Sequence, residues 1–278
     1  MRNAPQLAWL RRMKKAPVLG FSVAALLALA ACYTNPVTGR QSLVLVQPSQ
    51  ELALGAQSFA EIRQQEKVST DAALNQRVQN VGRRIATAVG DQMPGAQWEF
   101  VVFDSAEVNA FALPGGKVGV YTGLLKLAAS DDELATVMGH EIGHVIARHG
   151  AERMSEQMVI QGLGALGTAY AQDRYDPQTL QIFQTAYTGL ATVGRVLPHS
   201  RANESEADHM GVLFAAKAGY DPRAAITFWQ KMSAQKGASA SKIETFLSTH
   251  PADQQRIADL QALMPEMVAV YEQNRGRY

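Results

Sequence analysis

One pentapeptide constrains this chain more than any other feature: His140-Glu141-Ile142-Gly143-His144, within the run SDDELATVMGHEIGHVIARH at 130–149. Leu134, Val137, Met138, Val145 and Ile146 supply apolar positions for a helix. Ser130 followed by Glu133 is the pattern of a capping box, so the helix is predicted to start at Ser130. On such a helix His140 and His144 stand at i and i+4, with their imidazoles about 40° apart on one face. Two neutral imidazoles so placed can hold one Zn²⁺, and Glu141, one residue along, can reach a water on the ion. This is the H-E-x-x-H pattern of zinc hydrolases. The bland alternative is a solvated, charged helix face. Gly139 and Gly143 thin the same helix, which suits close approach by another backbone.

A catalytic zinc needs a third protein ligand and an open position. Residues 200–208 read SRANESEAD. Ser200 is a candidate N-cap for a second helix. Glu204 and Asp208 then share a face, Glu204 as a candidate third ligand and Asp208 as a candidate acceptor for the outer N–H of a ligand histidine. An exposed acidic helix is the competing reading of the same residues. A different metal reading pairs Glu141-x-x-His144 with Glu206-x-x-His209, as in di-iron carboxylate bundles. It leaves His140 unused and takes the opposite face of the second helix.

The N-terminus reads as an address. Arg11 to Lys15 form a basic stretch, and the 14 residues from Val18 to Ala31 carry no charge. That run is too short to span a bilayer and suits the apolar part of a signal peptide. It ends Leu29-Ala30-Ala31-Cys32, which resembles a bacterial lipobox, and Cys32 is the sole cysteine. No disulfide can form within the chain. Removing the five basic residues of 1–31 leaves 21 basic against 25 acidic residues, a net charge of −4 on 32–278. A mildly acidic body gives no footprint for nucleic acid. Residues 1–31 are therefore expected to be a lipoprotein signal peptide, 32–48 a lipidated tether with turns at Asn35-Pro36 and Gly39, and 49–278 one folded domain.

Within that domain, helices are predicted near 49–67 and 71–89, a strand at 97–103, and two short strands at 108–113 and 117–121 joined by the Pro114-Gly115-Gly116 turn. From Gly123 onward the pattern is helical. Residues 158–170 and 186–197 are apolar but shorter than a membrane span. A helix near 252–264 is expected to be followed by Pro265 and one more helical stretch to the end. His149 reads as a cation closing the metal helix. His250-Pro251 reads as an extended loop histidine, and Arg256 as an ion-pair partner.

Taken together, these motifs resemble the zinc metalloendopeptidases of the CAAX prenyl protease type, including HtpX-like and BepA-like bacterial members. The likeness covers roughly residues 33–260. His140 to His144 is similar to the family's metal motif, and Glu204-Ser205-Glu206-Ala207-Asp208 to its E-x-E-A-D motif, whose first Glu is the ligand. Asn109-Ala110-Phe111-Ala112, followed by Pro114-Gly115-Gly116, looks like its active-site edge strand. Asn35-Pro36-Val37-Thr38-Gly39-Arg40 looks like a segment of its lipoprotein branch, and the short chain looks most like the LoiP-type members. His199 departs from the pattern, since an aromatic residue often precedes Ser-Arg. The resemblance implies a mainly α (α+β), zincin-like domain with a small sheet and hairpin beside the metal helix. It implies one Zn²⁺ held by His140, His144 and Glu204, Glu141 as general base, Asp208 behind a ligand, and substrate drawn out along 109–112. It places His250 at the metal cleft, where it either fills the open position or steadies the oxyanion.

The implied function is a lipid-anchored endopeptidase on the periplasmic face of the outer membrane, because Tyr33 rather than Asp follows Cys32. Unfolded polypeptides, misfolded envelope proteins above all, are the expected substrates, and other envelope proteases or chaperones are candidate partners. A non-catalytic lipoprotein that binds outer-membrane proteins is the competing class. With Cys32→Ser the chain is expected to leave the outer-membrane fraction, because lipid at Cys32 is the strong attachment the sequence offers. Fractionation after a high-salt wash checks this, and a variant still in the outer membrane defeats the anchor.

Overall fold

A computed structural model describes residues 32–171, 177–179, 181, 197–235, 240–251 and 254–277. Residues 1–31, expected to be a signal peptide, most of the apolar run at 186–197, and the small-residue segment at 236–239 lie outside the described residues. So does the side chain of His199. Among the described residues no helix is long and apolar enough to cross a membrane.

The chain opens with a hairpin, β1 (Cys32–Thr34) and β2 (Gln41–Leu43), paired antiparallel. Its turn falls where Asn35-Pro36 and Gly39 signal one, and Gly39 takes φ 72°. The segment is not loose. Val44 and Val46 are buried with Ala151, and the Tyr33 hydroxyl donates to the Ile146 carbonyl at 2.6 Å. Tether-like composition is overruled by these contacts with the body of the fold.

Helices α1 (Pro48–Gln65) and α2 (Ala72–Val89) follow. Pro48 begins α1, and the Asp71 carboxylate caps α2 by accepting from Ala73 N and Leu74 N. In α2 the residues Val78, Val81, Ile85 and Val89 recur at helical spacing and are all buried. That stripe covers one face of a three-stranded sheet: β3 (Glu99–Phe103), β4 (Ala110–Leu113) and β5 (Lys117–Tyr121) in the order β3-β5-β4. The β3–β5 pair is parallel and β4–β5 antiparallel. Gly115 and Gly116 turn the β4–β5 hairpin with φ 90° and 82°, which other residues rarely adopt. The edge strand β4 packs beside the metal-motif helix.

After α3 (Thr122–Leu127), α4 (Asp131–Ile146) runs through the core. Ser130 caps it by accepting from Glu133 N at 3.2 Å. The other half of the expected capping box is absent. Glu133 instead accepts from Ala129 N and from Lys231 Nζ at 2.6 Å, because a buried carboxylate gains more from a cation than from a backbone amide. The chain continues through α5 (His149–Ala171), α6 (Leu197–Lys217), α7 (Ala224–Ala234), α8 (Ala240–Thr249) and α9 (Gln254–Asn274). Helix α6 starts at Leu197, ahead of the cap position expected at Ser200. Helix α9 runs straight through Pro265. Leu260 and Met267, two turns apart on one face, are buried on either side of it and hold the helix to the core.

Backbone meets backbone where α4 crosses α6. A Cβ on Gly139 would stand 2.7 Å from the Gly211 carbonyl, and one on Gly211 would stand 2.7 Å from His140 N. Both are backbone atoms that cannot swing aside. Gly139→Ala is therefore expected to destabilise the protein by about 1–3 kcal/mol, as overpacked cores do, and to lower metal retention by forcing the helices apart. Denaturant unfolding and metal content measure the two effects, and a wild-type result in both would show that the crossing has slack.

Candidate metal centre

Helix α4 carries His140 and His144 on the face turned to α6, with Nε2 atoms 3.0 Å apart. From α6, Glu204 places Oε2 3.4 Å from His140 Nε2 and Oε1 3.3 Å from His144 Nε2. His250 follows α8 directly, its N–H bonded to the Phe246 carbonyl, and its Nδ1 lies 3.2 Å from His140 Nε2 and 3.0 Å from Glu204 Oε2. These four side chains form the group able to hold a metal among the described residues. Glu206 and His209 lie outside it, so the di-iron pairing is not assembled.

The donor spacing fits zinc. Four ligands at about 2.0–2.1 Å from a tetrahedral ion stand about 3.3–3.4 Å from one another; several donor pairs here stand 3.0–3.4 Å apart, and the four donors together lie within 4.8 Å. Beside them Glu141 Oε1 is buried without a hydrogen-bond partner, 3.5 Å from His250 Nε2. A buried carboxylate oxygen left unpaired next to a metal-binding group suits an incoming water.

The surrounding charges are set by burial and contact. Burial resists ionisation of Glu204, yet hydrogen bonds from His140, His144 and His250 hold its carboxyl far below the usual carboxylate range. Burial pushes Glu141 up, toward the range useful to a general base, against the charges of His250 and His140. Burial drives His144 down to about 3, so it is neutral and free to ligate. For His140, burial opposes the charge, but Asp208 and Glu204 outweigh it and lift the pKa to about 9.

Asp208 Oδ1 stands 2.9 Å from His140 Nδ1, close enough to hold the outer N–H although off its axis. Arg256 grips Asp208 with two bonds of 2.7 and 2.8 Å and also reaches Glu204 Oε2 at 3.1 Å. Its guanidinium lies 3.8 Å over the Trp229 ring. Sequence reading reached Arg256 only as an ion-pair partner and missed Trp229, since a lone aromatic on a distant helix carries no spacing signal. Of the expected substrate strand, Ala110, Phe111 and Ala112 lie in β4, and Asn109 precedes it, its carbonyl bonded to Tyr121 N. Phe111 packs on Phe59, Phe103 and Tyr121. One edge of β4 is bonded to β5, and no strand among the described residues pairs with the other. Cys32 is exposed at the start of β1.

Comparison with known proteins supplies an independent line. The description of peptidase family M48 matches residues 72–264. The chain is 35% identical to the mitochondrial metalloendopeptidase OMA1 of Schizosaccharomyces pombe over 189 residues, 68% of this chain and 52% of that protein. It is 34% identical to a putative beta-barrel assembly-enhancing protease of Vibrio cholerae over 216 residues, 76% of this chain and 43% of that one. The beta-barrel assembly-enhancing protease of Escherichia coli is 29% identical over 231 residues, 81% of this chain and 46% of that one. The chain thus spans about half the length of these relatives.

Zinc takes the neutral imidazole, so a His140 that stays protonated up to about 9 must lose its proton when metal binds. Binding at pH 7.5 is expected to release about one proton from this residue, and affinity to rise about tenfold per pH unit until pH approaches 9. Calorimetry in buffers of differing ionisation enthalpy measures the proton count. An affinity flat between pH 7 and 9 would place the proton elsewhere.

Proposed function

The chain belongs to peptidase family M48 and is a metalloendopeptidase, and from that premise we propose a zinc-dependent enzyme that cleaves unfolded or misfolded envelope polypeptides while anchored through Cys32 to the periplasmic face of the outer membrane. The observation that carries the zinc reading is the cluster of His140, His144, Glu204 and His250, whose donor atoms lie within 4.8 Å of one another beside the buried Oε1 of Glu141.

Zinc, when bound, lowers the pKa of a water and polarises a carbonyl. Every other step falls to the chain. His140, His144 and Glu204 hold the ion. Glu141 accepts the proton of the attacking water and passes it to the leaving amine nitrogen. The free edge of β4 offers backbone groups to an extended peptide, which joins the sheet as a further strand. A folded substrate cannot present such a strand, so the arrangement selects unfolded chain. The exposure of Cys32 at the outer end of the first hairpin supports an anchor there. The envelope setting is supported by the bacterial relatives named as assembly-enhancing proteases of β-barrels.

His250 has two roles open to it. As a fourth ligand it excludes water and holds the enzyme off; as a donor it stabilises the oxyanion. Its Nδ1 sits at ligand spacing from both His140 and Glu204, which favours the gate. The purely binding alternative loses its ground to family membership.

Glu141→Gln is expected to keep zinc and lose at least ~10²-fold in casein cleavage, the scale of general-base catalysis. Near-normal turnover would remove Glu141 from the mechanism. In parallel His250→Ala is expected to cleave faster with zinc still bound, whereas a loss of roughly 10²-fold would make it an oxyanion donor.

A further inference from the structure

His144 has a second ring nitrogen, and the proposed mechanism leaves its partner unused. The His144 Nδ1 lies 2.8 Å from Nδ1 of His149. In a continuous helix, residues five apart point about 140° away from each other. Here α4 ends at Ile146, Arg148 takes φ 58°, and α5 begins at His149, which is folded back over His144. On its far side His149 Nε2 meets Glu206 Oε2 at 2.9 Å.

Glu206 is the middle residue of the E-x-E-A-D run, and it is buried. Its Oε1 accepts from Asn35 Nδ2 at 2.8 Å and from the Thr38 hydroxyl, and its Oε2 accepts from Arg40 Nε. Arg40 continues with paired bonds of 2.9 and 2.8 Å to Glu152 on α5. The segment Asn35 to Arg40 therefore closes around one carboxylate.

Only one placement of protons satisfies this chain of contacts and also leaves the His144 Nε2 lone pair free for a metal. Glu206 already accepts from Asn35, Thr38 and Arg40, and as an acceptor toward His149 too it takes the hydrogen bond from the proton carried on His149 Nε2. A neutral His149 then offers a lone pair at Nδ1. His144 must donate to it from Nδ1, which leaves the His144 Nε2 lone pair aimed into the ligand cluster. A doubly protonated His149 would force the reverse and block the ligand.

Resting on the zinc reading above, we propose that His149 and Glu206 are positioning residues that fix the tautomer and ring orientation of ligand His144, with the Asn35–Arg40 segment as the clamp that holds Glu206 in place. Each ligand histidine then has a carboxylate behind it, Asp208 directly for His140 and Glu206 by way of His149 for His144. Each carboxylate is held by an arginine from one end of the chain, Arg256 for Asp208 and Arg40 for Glu206. Reasoning from helix faces gave Glu206 no bearing on the metal; the break at Arg148 gives it an indirect one.

The test uses the full chain, ¹⁵N-labelled at histidine and loaded with zinc, in long-range ¹H–¹⁵N spectra. The expected result is His149 as the Nε2–H tautomer and His144 protonated at Nδ1 with zinc at Nε2. Chelator competition on folded Glu206→Ala and His149→Ala proteins is expected to show zinc held about 10–100-fold more weakly, with Arg40→Ala shifted less in the same direction. A His149 protonated at Nδ1, or a folded Glu206→Ala that keeps wild-type zinc affinity, overturns the inference. Should these variants fail to fold, the wild-type tautomers alone decide. Failure of zinc to shift His140 and His144 at all overturns the metal reading and this inference with it, whereas shifted ligands with the wrong His149 tautomer overturn only the latter.

Discussion

The backbone contact between α4 and α6 sets what every other part of the site can do. Side chains of ordinary size would hold two helices about 8–10 Å apart. With Gly139 against Gly211, and Gly143 against Ala207, α6 comes close enough for its carboxylates to touch imidazoles on α4. Three acidic residues on one helix then serve two histidines. Glu204 faces both directly, Asp208 backs His140, and Glu206, on the opposite side of α6, meets His149. The apolar neighbours Met138, Ile142, Ala207 and Met210 are buried at the same crossing, so the core packing and the site share one origin.

Burying that much charge needs compensation, since an unpaired buried ion is severely destabilising. The chain supplies it from distant parts of the sequence. Arg40 enters from the first hairpin, Arg256 from the last helix, and Lys231 pairs Glu133 at the start of α4. Arg148 joins α1 to the break between α4 and α5 through Glu51. A polar centre tied to both ends of the chain makes docking of those ends part of assembling the metal site. It also explains why a segment with the composition of a tether is ordered against the domain.

The edge strand β4 and the loop histidine His250 meet the site from outside the α4–α6 pair. Strand β4 is held along one edge by β5, and on the face that carries Phe111 by Phe59, Phe103 and Tyr121. His250 rests on Phe246, with ring centroids 4.8 Å apart, and on bonds within the donor cluster. An aromatic contact is a modest restraint, and His250 lies beyond the end of its helix, whereas His140, His144 and Glu204 lie within α4 and α6.

Much of this protein follows from the sequence by itself. The i, i+4 spacing of His140 and His144, the matching Glu204 and Asp208, the stripe of α2 and the hairpin at Pro114-Gly115-Gly116 are local patterns whose geometry is set by helix and strand periods. They place the chemistry on known faces and make the mainly helical fold with its small sheet expected. Other features needed the tertiary structure. Glu133 left half of its capping box for Lys231, and α9 ran on through Pro265, because burial against remote residues outweighed local preference. Arg256 with Trp229 at Asp208, and Asn35, Thr38 and Arg40 at Glu206, join residues with no fixed spacing along the chain. A pattern can say which face of a helix a side chain occupies. What meets that face is decided only when the helices have packed and each buried charge has found its partner.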